Sequence, residues 1–334
     1  MEIIKKVLNA YAIHPLNIEH VTDRLIRVSD GQGDYALKSS LLSKESVSNW
    51  ENVYHLAFSK QVSTVLPVYL TKNGNLYVEM DQTIFYLTPW IETEQTKSSS
   101  QVIDYFYKSI GTVHAKTKQS QSISTGNLTS DFNTYKRFCE ITQRDLLKFV
   151  EQFEQNRYMS PFELLVCTHY RDIEFALKEI NRRIDQFIEE QEQEITWNYS
   201  LCHGNLNFSH TRNTHLINWE NSFFDNAVVD LALFFKQEVS FYDQPINLFM
   251  EQFSTYYNEN KLSQNELYLL TIHLLNPSDY VKLIQQYVTN GSKDSMVNQV
   301  INLQHAYRQI LFGLQWSKFV EAEYETFSMD DLES

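Results

Sequence analysis

The side chains best suited to chemistry in this 334-residue chain are concentrated between Leu201 and Phe235, in the run LCHGNLNFSHTRNTHLINWENSFFDNAVVDLALFF. The run holds a thiol (Cys202), three imidazoles (His203, His210, His215), three carboxylates (Glu220, Asp225, Asp230) and several amides, Asn205 and Asn218 among them. A thiol beside an imidazole is a nucleophile pattern, but neighbours on a strand face opposite ways, so Cys202 reads as a core residue. His210 and His215 flank a turn and offer two imidazoles to Zn²⁺, although a histidine in such a place more commonly faces solvent or a hydrogen-bond partner. Asp230 stands before the apolar run Leu231–Phe235 and reads as a helix cap that braces the loop through backbone N–H groups. Asn205 sets a limit on all of this: a side-chain amide has no useful basicity and cannot serve as a general base.

The order His203-Gly204-Asn205, His210, Ile217-Asn218-Trp219-Glu220, Asp230-Leu231-Ala232 resembles the catalytic segment of the aminoglycoside phosphotransferase, choline kinase and homoserine kinase families. In those small-molecule relatives of protein kinases the segment runs HGDxxxxN, a short hairpin, I-D-W/F-E, and then D-L-A. The first Asp accepts the proton of the attacking hydroxyl, and the Asn and second Asp hold Mg²⁺. The resemblance puts Asn205 at the base position and His210 and Asn218 at the two metal positions. Mg²⁺ wants one or two carboxylates beside the nucleotide phosphates, and an imidazole nitrogen is a poor substitute. The hairpin between His210 and Asn218 is also shorter than the family's usual form. His203 is then a structural hydrogen-bonder of the loop rather than a catalyst.

Further likeness lies upstream. Tyr35-Ala36-Leu37-Lys38 resembles the strand whose lysine pairs the nucleotide's phosphates, which makes Glu51 the implied partner of Lys38 and Glu45 a less well placed rival. Phe85-Tyr86-Leu87-Thr88-Pro89-Trp90-Ile91-Glu92 resembles the hinge that contacts adenine, with Thr88 and Trp90 as its implied nucleotide-binding residues. Where a glycine-rich phosphate loop belongs, Val21-Thr22-Asp23-Arg24-Leu25 has no glycine, and Asp23 adds a negative charge. His114, in Gly111-Thr112-Val113-His114-Ala115, matches a helical element of the same families.

Within this superfamily the chain resembles the kinase-like spore coat proteins of the CotS/YutH type. That resemblance implies a catalytically inactive kinase-like protein, a pseudokinase, acting as a spore coat component or interaction protein with other spore coat proteins as partners; its synthesis is expected in the cytoplasm, because the sequence shows neither a membrane-span run nor a secretory signal. No cofactor is expected on this reading. The alternative is a small-molecule phosphotransferase that uses ATP and Mg²⁺ with rearranged metal ligands. If 216–220 is extended, Glu220 projects to the same side as Asn218, so Glu220, or Asp225 in the next loop, would supply the missing carboxylate.

The elements that must position these residues change character along the chain. Residues 1–18 predict a helix, with Ile3, Ile4, Val7, Leu8, Tyr11 and Ile13 at helical spacing. Short strand-like runs follow, HVT, LIRVS and DYALKSS, with the turn Asp30-Gly31-Gln32-Gly33 between the last two. A helix is expected over 43–59 with Ser43 as its cap, then strands at 68–70 with 76–80 and at 83–87. The polar stretch 93–101 reads as a linker into a helix at 102–118. Helical patterns dominate the remainder, at 132–157, 171–191, 244–260, 264–289 and 295–322, interrupted by a β-like island at 200–233. The expected class is α+β, a bilobal protein-kinase-like fold with a small β-rich N-lobe, hinge included, over 1–92 and a mostly helical C-lobe over 93–334.

Composition narrows the partners. A net charge of −14 argues against a nucleic-acid polyanion, which needs a basic surface. No apolar run approaches the ~20 residues of a membrane span, so no membrane partner is expected, and the start MEIIKKVLNAYAIHP is too interrupted for a secretory signal. Three cysteines without a close pair fit neither a disulfide framework nor a zinc ribbon. Only eight glycines are present, and no GxGxxG or GxxxxGK[ST].

Overall fold

A computed structural model of the chain describes residues 2–92, 99–189, 194–241, 244–289 and 293–325. From the N-terminus, α1 (Glu2–Ala10) leads into β1 (Asn17–Thr22), β2 (Leu25–Ser29), β3 (Asp34–Ser40), α2 (Lys44–Ser59), β4 (Tyr77–Met80), β5 (Thr83–Pro89) and α3 (Ser99–Thr117). Next come β6 (Gln119–Ser124), the long helices α4 (Thr125–Glu154) and α5 (Pro161–Glu189), and β7 (Glu194–Cys202). Two short strands, β8 (Thr211–Arg212) and β9 (His215–Leu216), and β10 (Phe223–Asp225) precede α6 (Ala227–Glu238), α7 (Ile246–Glu251), α8 (Phe253–Glu259), α9 (Gln264–Leu275), α10 (Ser278–Val288) and α11 (Met296–Val320). The class is α+β.

Two compact units divide the chain, the first being Met1–Lys118 with Ser200–Asp225 and Ser254–Asn260. Its centre is an antiparallel sheet of order β1-β2-β3-β5-β4. Residues directly opposite in an antiparallel pair share a face. The register sets Leu25 and Tyr86 across from Lys38, and Arg27 and Thr88 across from Ala36, so these six line one face. The other face carries Ile26, Val28, Leu37 and Leu87, which bury against Ile4, Val7 and Leu8 of α1. Ser43 caps α2 by accepting from the Ser46 N–H at 3.2 Å. The helix sends Trp50 to the Lys38 face, 4.9 Å from the Tyr86 ring. The tight turn before β3 is held by Asp30, whose carboxylate accepts from the N–H groups of Gln32 and Gly33.

The second unit comprises Gln119–Tyr199, Asn226–Phe253 and Lys261–Ser334. The first part of β7 pairs with β6, and α4 and α5 form an antiparallel hairpin, α5 packing on α9 and α11. Pro161 opens α5 at the one helical position where its missing N–H is harmless. Arg183 of α5 is fully buried, donating to Glu179 at 3.0 Å, to the Ser317 carbonyl of α11 at 3.0 Å and to Glu325. No helix of the described residues is long and apolar enough to cross a membrane.

Several expectations change. The first helix stops at Ala10 instead of reaching 18, because Pro15 bars the helical conformation at His14 and Ala12 takes a left-handed turn (φ 62°). Residues 68–70 form no strand, although Tyr69 N–H still donates to the Leu87 carbonyl. Strand β6 was unforeseen. The helix expected over 264–289 is cut by Pro277 into α9 and α10, and that over 244–260 is broken at Gln252 into α7 and α8. Of the expected linker, 93–98 lie outside the described residues and Ser99–Gln101 belong to α3. Asn226, not Asp230, caps α6, its side chain accepting from Val228 N–H at 3.1 Å; the helix begins before the D-L-A triplet, so Asp230 lies inside it, fully buried.

Candidate functional site

The 203–220 segment folds back on itself within the first unit. Gly204 takes a left-handed backbone (φ 77°), and a Cβ there would lie 2.1 Å from the Asn221 carbonyl oxygen, so only glycine allows this approach. The imidazole of His203 is fully buried and bridges the two halves of the segment. Its Nε2–H donates to the Ile217 carbonyl at 2.8 Å, and its Nδ1 accepts from Asn205 N–H at 3.3 Å. Ile217 N–H in turn donates to the His210 carbonyl at 3.0 Å. These bonds bring the three motif positions together, with Trp219 closing the base against the His203 ring at 4.7 Å.

The segment is tied to the rest of the first unit at three levels. Leu216 N–H donates to the Thr64 carbonyl at 2.7 Å and its carbonyl accepts from Leu66 N–H at 3.2 Å. The Lys38 ammonium donates to the Asn218 side-chain oxygen. The Tyr86 hydroxyl donates to Glu220 Oε1 at 2.9 Å. Asn218 holds a left-handed conformation (φ 69°, ψ 50°), which asparagine tolerates better than most residues. Trp219–Asn221 is a single 3-10 turn, so 216–220 is not extended and Glu220 is aimed by the turn, not by strand alternation.

The electrostatics follow from burial. Lys38 is pushed below the usual lysine range, chiefly by desolvation; the Glu220 carboxylate opposes this and the Arg212 guanidinium adds to it. Burial likewise lowers His210 to about 4, so it is neutral at pH 7, and its Nδ1–H donates to the Asn205 carbonyl at 2.8 Å. The Tyr86 phenol is pushed well above its ordinary value, first by burial and then by Tyr54 and Glu220.

Solved structures of known proteins share this architecture. The chain is similar to an aminoglycoside phosphotransferase from Alicyclobacillus acidocaldarius (14% identity, TM-score 0.68, 95% of this chain and 96% of that one). It is also similar to a spectinomycin phosphotransferase (10% identity, TM-score 0.55, 94% and 97% covered) and to a microcompartment-associated aminopropanol kinase (11%, 0.53, 95% and 97%). The fold is kinase-like. All three neighbours are small-molecule phosphotransferases or kinases, and at these identities the likeness speaks for the fold. No family model matches the chain, and no curated protein matches it by sequence.

In a kinase-like frame the motif residues sort as follows. Asn205, His210, Asn218 and Lys38 converge, and Glu220 joins them through Tyr86. Glu51 does not reach Lys38: it lines a groove of about 540 Å³ with Lys6, Asn9, Lys72, Tyr77 and Glu79. The α2 residues turned toward Lys38 and Tyr86 are Trp50 and Tyr54 instead. Glu45 is exposed in the first turn of α2. Thr88 is buried on the Lys38 face, while Trp90 donates its backbone N–H to the Asp34 carbonyl and carries the Arg27 guanidinium 4.9 Å over its ring. Asp225 lies on β10 opposite Ser200. His114 is buried in α3, its Nδ1 2.8 Å from the Tyr256 hydroxyl.

Three contributors escaped the sequence reading. Asn207 caps the 3-10 turn Phe208–His210 by accepting from His210 N–H at 3.1 Å, and it braces the Asn205 carbonyl at 3.3 Å. Tyr86 was legible in principle, being two residues before Thr88 on a strand and hence on the same face. Arg212, the one arginine of the hairpin, gave no spacing signal.

Proposed function

We propose that this chain is a catalytically inactive kinase-like protein that acts by binding. The observation that carries the reading is the bond from Lys38 to Asn218. A lysine free to hold nucleotide phosphates is instead spent on an amide at the position where a metal-binding carboxylate belongs. The donors at the three motif positions are two amides and a neutral imidazole, a set with no hard anionic oxygen for Mg²⁺ and no base for a hydroxyl proton. The resemblance to CotS/YutH-type coat proteins supports a role as a spore coat or interaction component, with other coat proteins as partners.

One observation favours a second reading, a phosphotransferase with a displaced metal ligand: the Glu220 carboxylate is near enough to act on Lys38. ATP turnover over a panel of hydroxylated acceptors separates the two. Wild type is expected to be silent, as are Asn205→Asp and Asn218→Asp. Turnover by wild type that vanishes in Glu220→Gln would defeat the inactive reading.

A further inference from the structure

We propose that the open pocket between the ends of α4 and α10 and the starts of α5 and α11 binds a neutral polyhydroxylated ligand, a saccharide unit. Its lining belongs wholly to the second unit and shares no residue with the Lys38–Asn218 corner, so the proposal does not rest on the inactive-kinase reading. The volume is about 420 Å³, within the range of small-molecule sites and enough for a sugar ring with a linked neighbour.

The apolar floor is preformed. Tyr287, in the last turn of α10, stacks on Phe162 of α5 with ring centroids 4.3 Å apart and meets Phe153 of α4 edge-to-face at 6.0 Å. Its hydroxyl lies 2.9 Å from the Ser160 hydroxyl. Phe153 and Tyr287 both line the pocket, so rings already fixed by packing offer apolar area to the C–H faces of a sugar.

The polar lining is dominated by carboxamides. Gln152, Gln286 and Gln299 enter from three different helices. Gln299 carries the deciding observation. Its Nε2 donates to the Asp294 carbonyl at 2.8 Å, which fixes the amide, while its Oε1 is buried and meets no donor among the described residues. A buried acceptor without a donor is costly, and a ligand O–H would remove that cost. The exposed Gln152 and Gln286 side chains make no hydrogen bond among the described residues and are free to turn toward a ligand.

Glu163 decides between a neutral ligand and a cation. It accepts from the Ser160 N–H at 2.7 Å and from the Asn156 side-chain N–H at 3.1 Å, while its own N–H donates to the Ser160 hydroxyl at 3.2 Å. This is a capping box at the start of α5. The carboxylate charge is therefore met by N–H donors and by the positive end of a 29-residue helix, and needs no ammonium to neutralise it. Its remaining lone pairs and three amides are what a ligand meets. A carboxamide is neutral and both donates and accepts, and so does a hydroxyl. Neighbouring sugar hydroxyls match that lining, whereas a phosphate would meet Glu163 as a like charge.

The test is saturation-transfer NMR followed by calorimetric titration of the full chain. The probes are glucose, galactose, mannose, N-acetylglucosamine, maltose and cellobiose, with putrescine as the cationic comparison. At least one saccharide is expected to bind at millimolar affinity or tighter. Gln299→Met weakens that binding by about tenfold, the loss of one hydrogen bond at a buried acceptor. Gln286→Ala weakens it several-fold. Glu163→Gln keeps the capping box and stays within a few-fold, and Gln119→Ala, an exposed glutamine on β6, leaves it unchanged. Melting curves identify any variant that fails to fold, and the exposed Gln286 then carries the comparison. The proposal is overturned if folded wild type binds none of the saccharides, or if Gln299→Met and Gln286→Ala bind as well as Gln119→Ala. It is equally overturned if putrescine binds in place of the sugars and Glu163→Gln abolishes that binding. ATP turnover enters none of these readings, so each outcome leaves the inactive-kinase reading where it stands.

Discussion

Acid should destabilise this protein well above the pH at which carboxylates titrate, because two of its histidines are buried neutral. His169 on α5 is 3% exposed, stacked on the Tyr307 ring at 3.5 Å, with its Nδ1 3.2 Å from the Tyr280 hydroxyl. Burial lowers it from 6.5 to about 4, and His210 falls to about the same value for the same first reason. Both folded values lie below the unfolded ones, so the unfolded chain takes up each proton first. The stability they hold is complete above about pH 6.5 and drains as the pH falls toward 4. For one such histidine at pH 5, the unfolded form is almost fully protonated and the folded form about one-tenth so, which gives a loss of roughly 2 kcal/mol relative to pH 7.5. Two histidines make roughly 4 kcal/mol, a large share of a typical margin. Urea unfolding at pH 7.5 and 5 measures it. His169→Asn keeps a partner for Tyr280 and does not titrate, so the variant should lose roughly 2 kcal/mol less than wild type over that interval. Equal losses in the two proteins would refute the reasoning.

Other outcomes follow from single contacts. Gly204→Ala puts a methyl 2.1 Å from the Asn221 carbonyl and should lower the melting temperature steeply or prevent folding; a melt within two or so degrees of wild type would mean the turn is not built this way. Arg183→Ala removes the buried donor shared by Glu179, the Ser317 carbonyl and Glu325, while the Arg182 guanidinium keeps Glu179 paired at 2.7 Å; it should lose about 2–3 kcal/mol by urea midpoint, and no loss would mean that Arg182 alone holds Glu179. Asn218→Asp gives Lys38 a charged partner and should introduce Mg²⁺-dependent heat in an ATP titration without turnover; turnover in this single variant would show that the base at 205 is dispensable.

The sheet and the catalytic-type segment were legible because they are written in local periodicity and in a motif with fixed spacing. LIRVS and DYALKSS alternate, and DGQG supplies the turn between them. The errors fall where a single residue overrides a pattern. Pro15 ended α1, Pro277 divided a helix whose apolar period runs through it, and the polar β6 (QSQSIS) offers no apolar alternation because it borrows its order from β7. In the site, Glu51 was assigned by distance along the chain, but helix phase decides which way a side chain faces. Trp50 and Tyr54, four apart, occupy the face turned toward Lys38, and the adjacent Glu51 is rotated toward Lys6 and Lys72. Arg212 could not be found by motif, because its charge reaches Lys38 only through the fold.

The frame of the site and its chemistry are separable, and that separation explains how a kinase-like segment can keep its shape with different donors. The frame depends on Gly204 meeting Asn221, on His203 joining Asn205 to Ile217, on Trp219 beneath, and on Leu216 laced to Thr64 and Leu66. Each is a packing or main-chain bond that stabilises the fold whether or not phosphate is transferred. The side chains at 205, 210 and 218 project from this frame and can exchange charge without moving it. An aspartate at 218 would form a buried ion pair with Lys38, whose Coulomb gain is offset by desolvation. An asparagine satisfies the same ammonium with less desolvation and leaves its charge uncancelled. The exchange thus alters the charge of the corner while the backbone that presents it stays as it was.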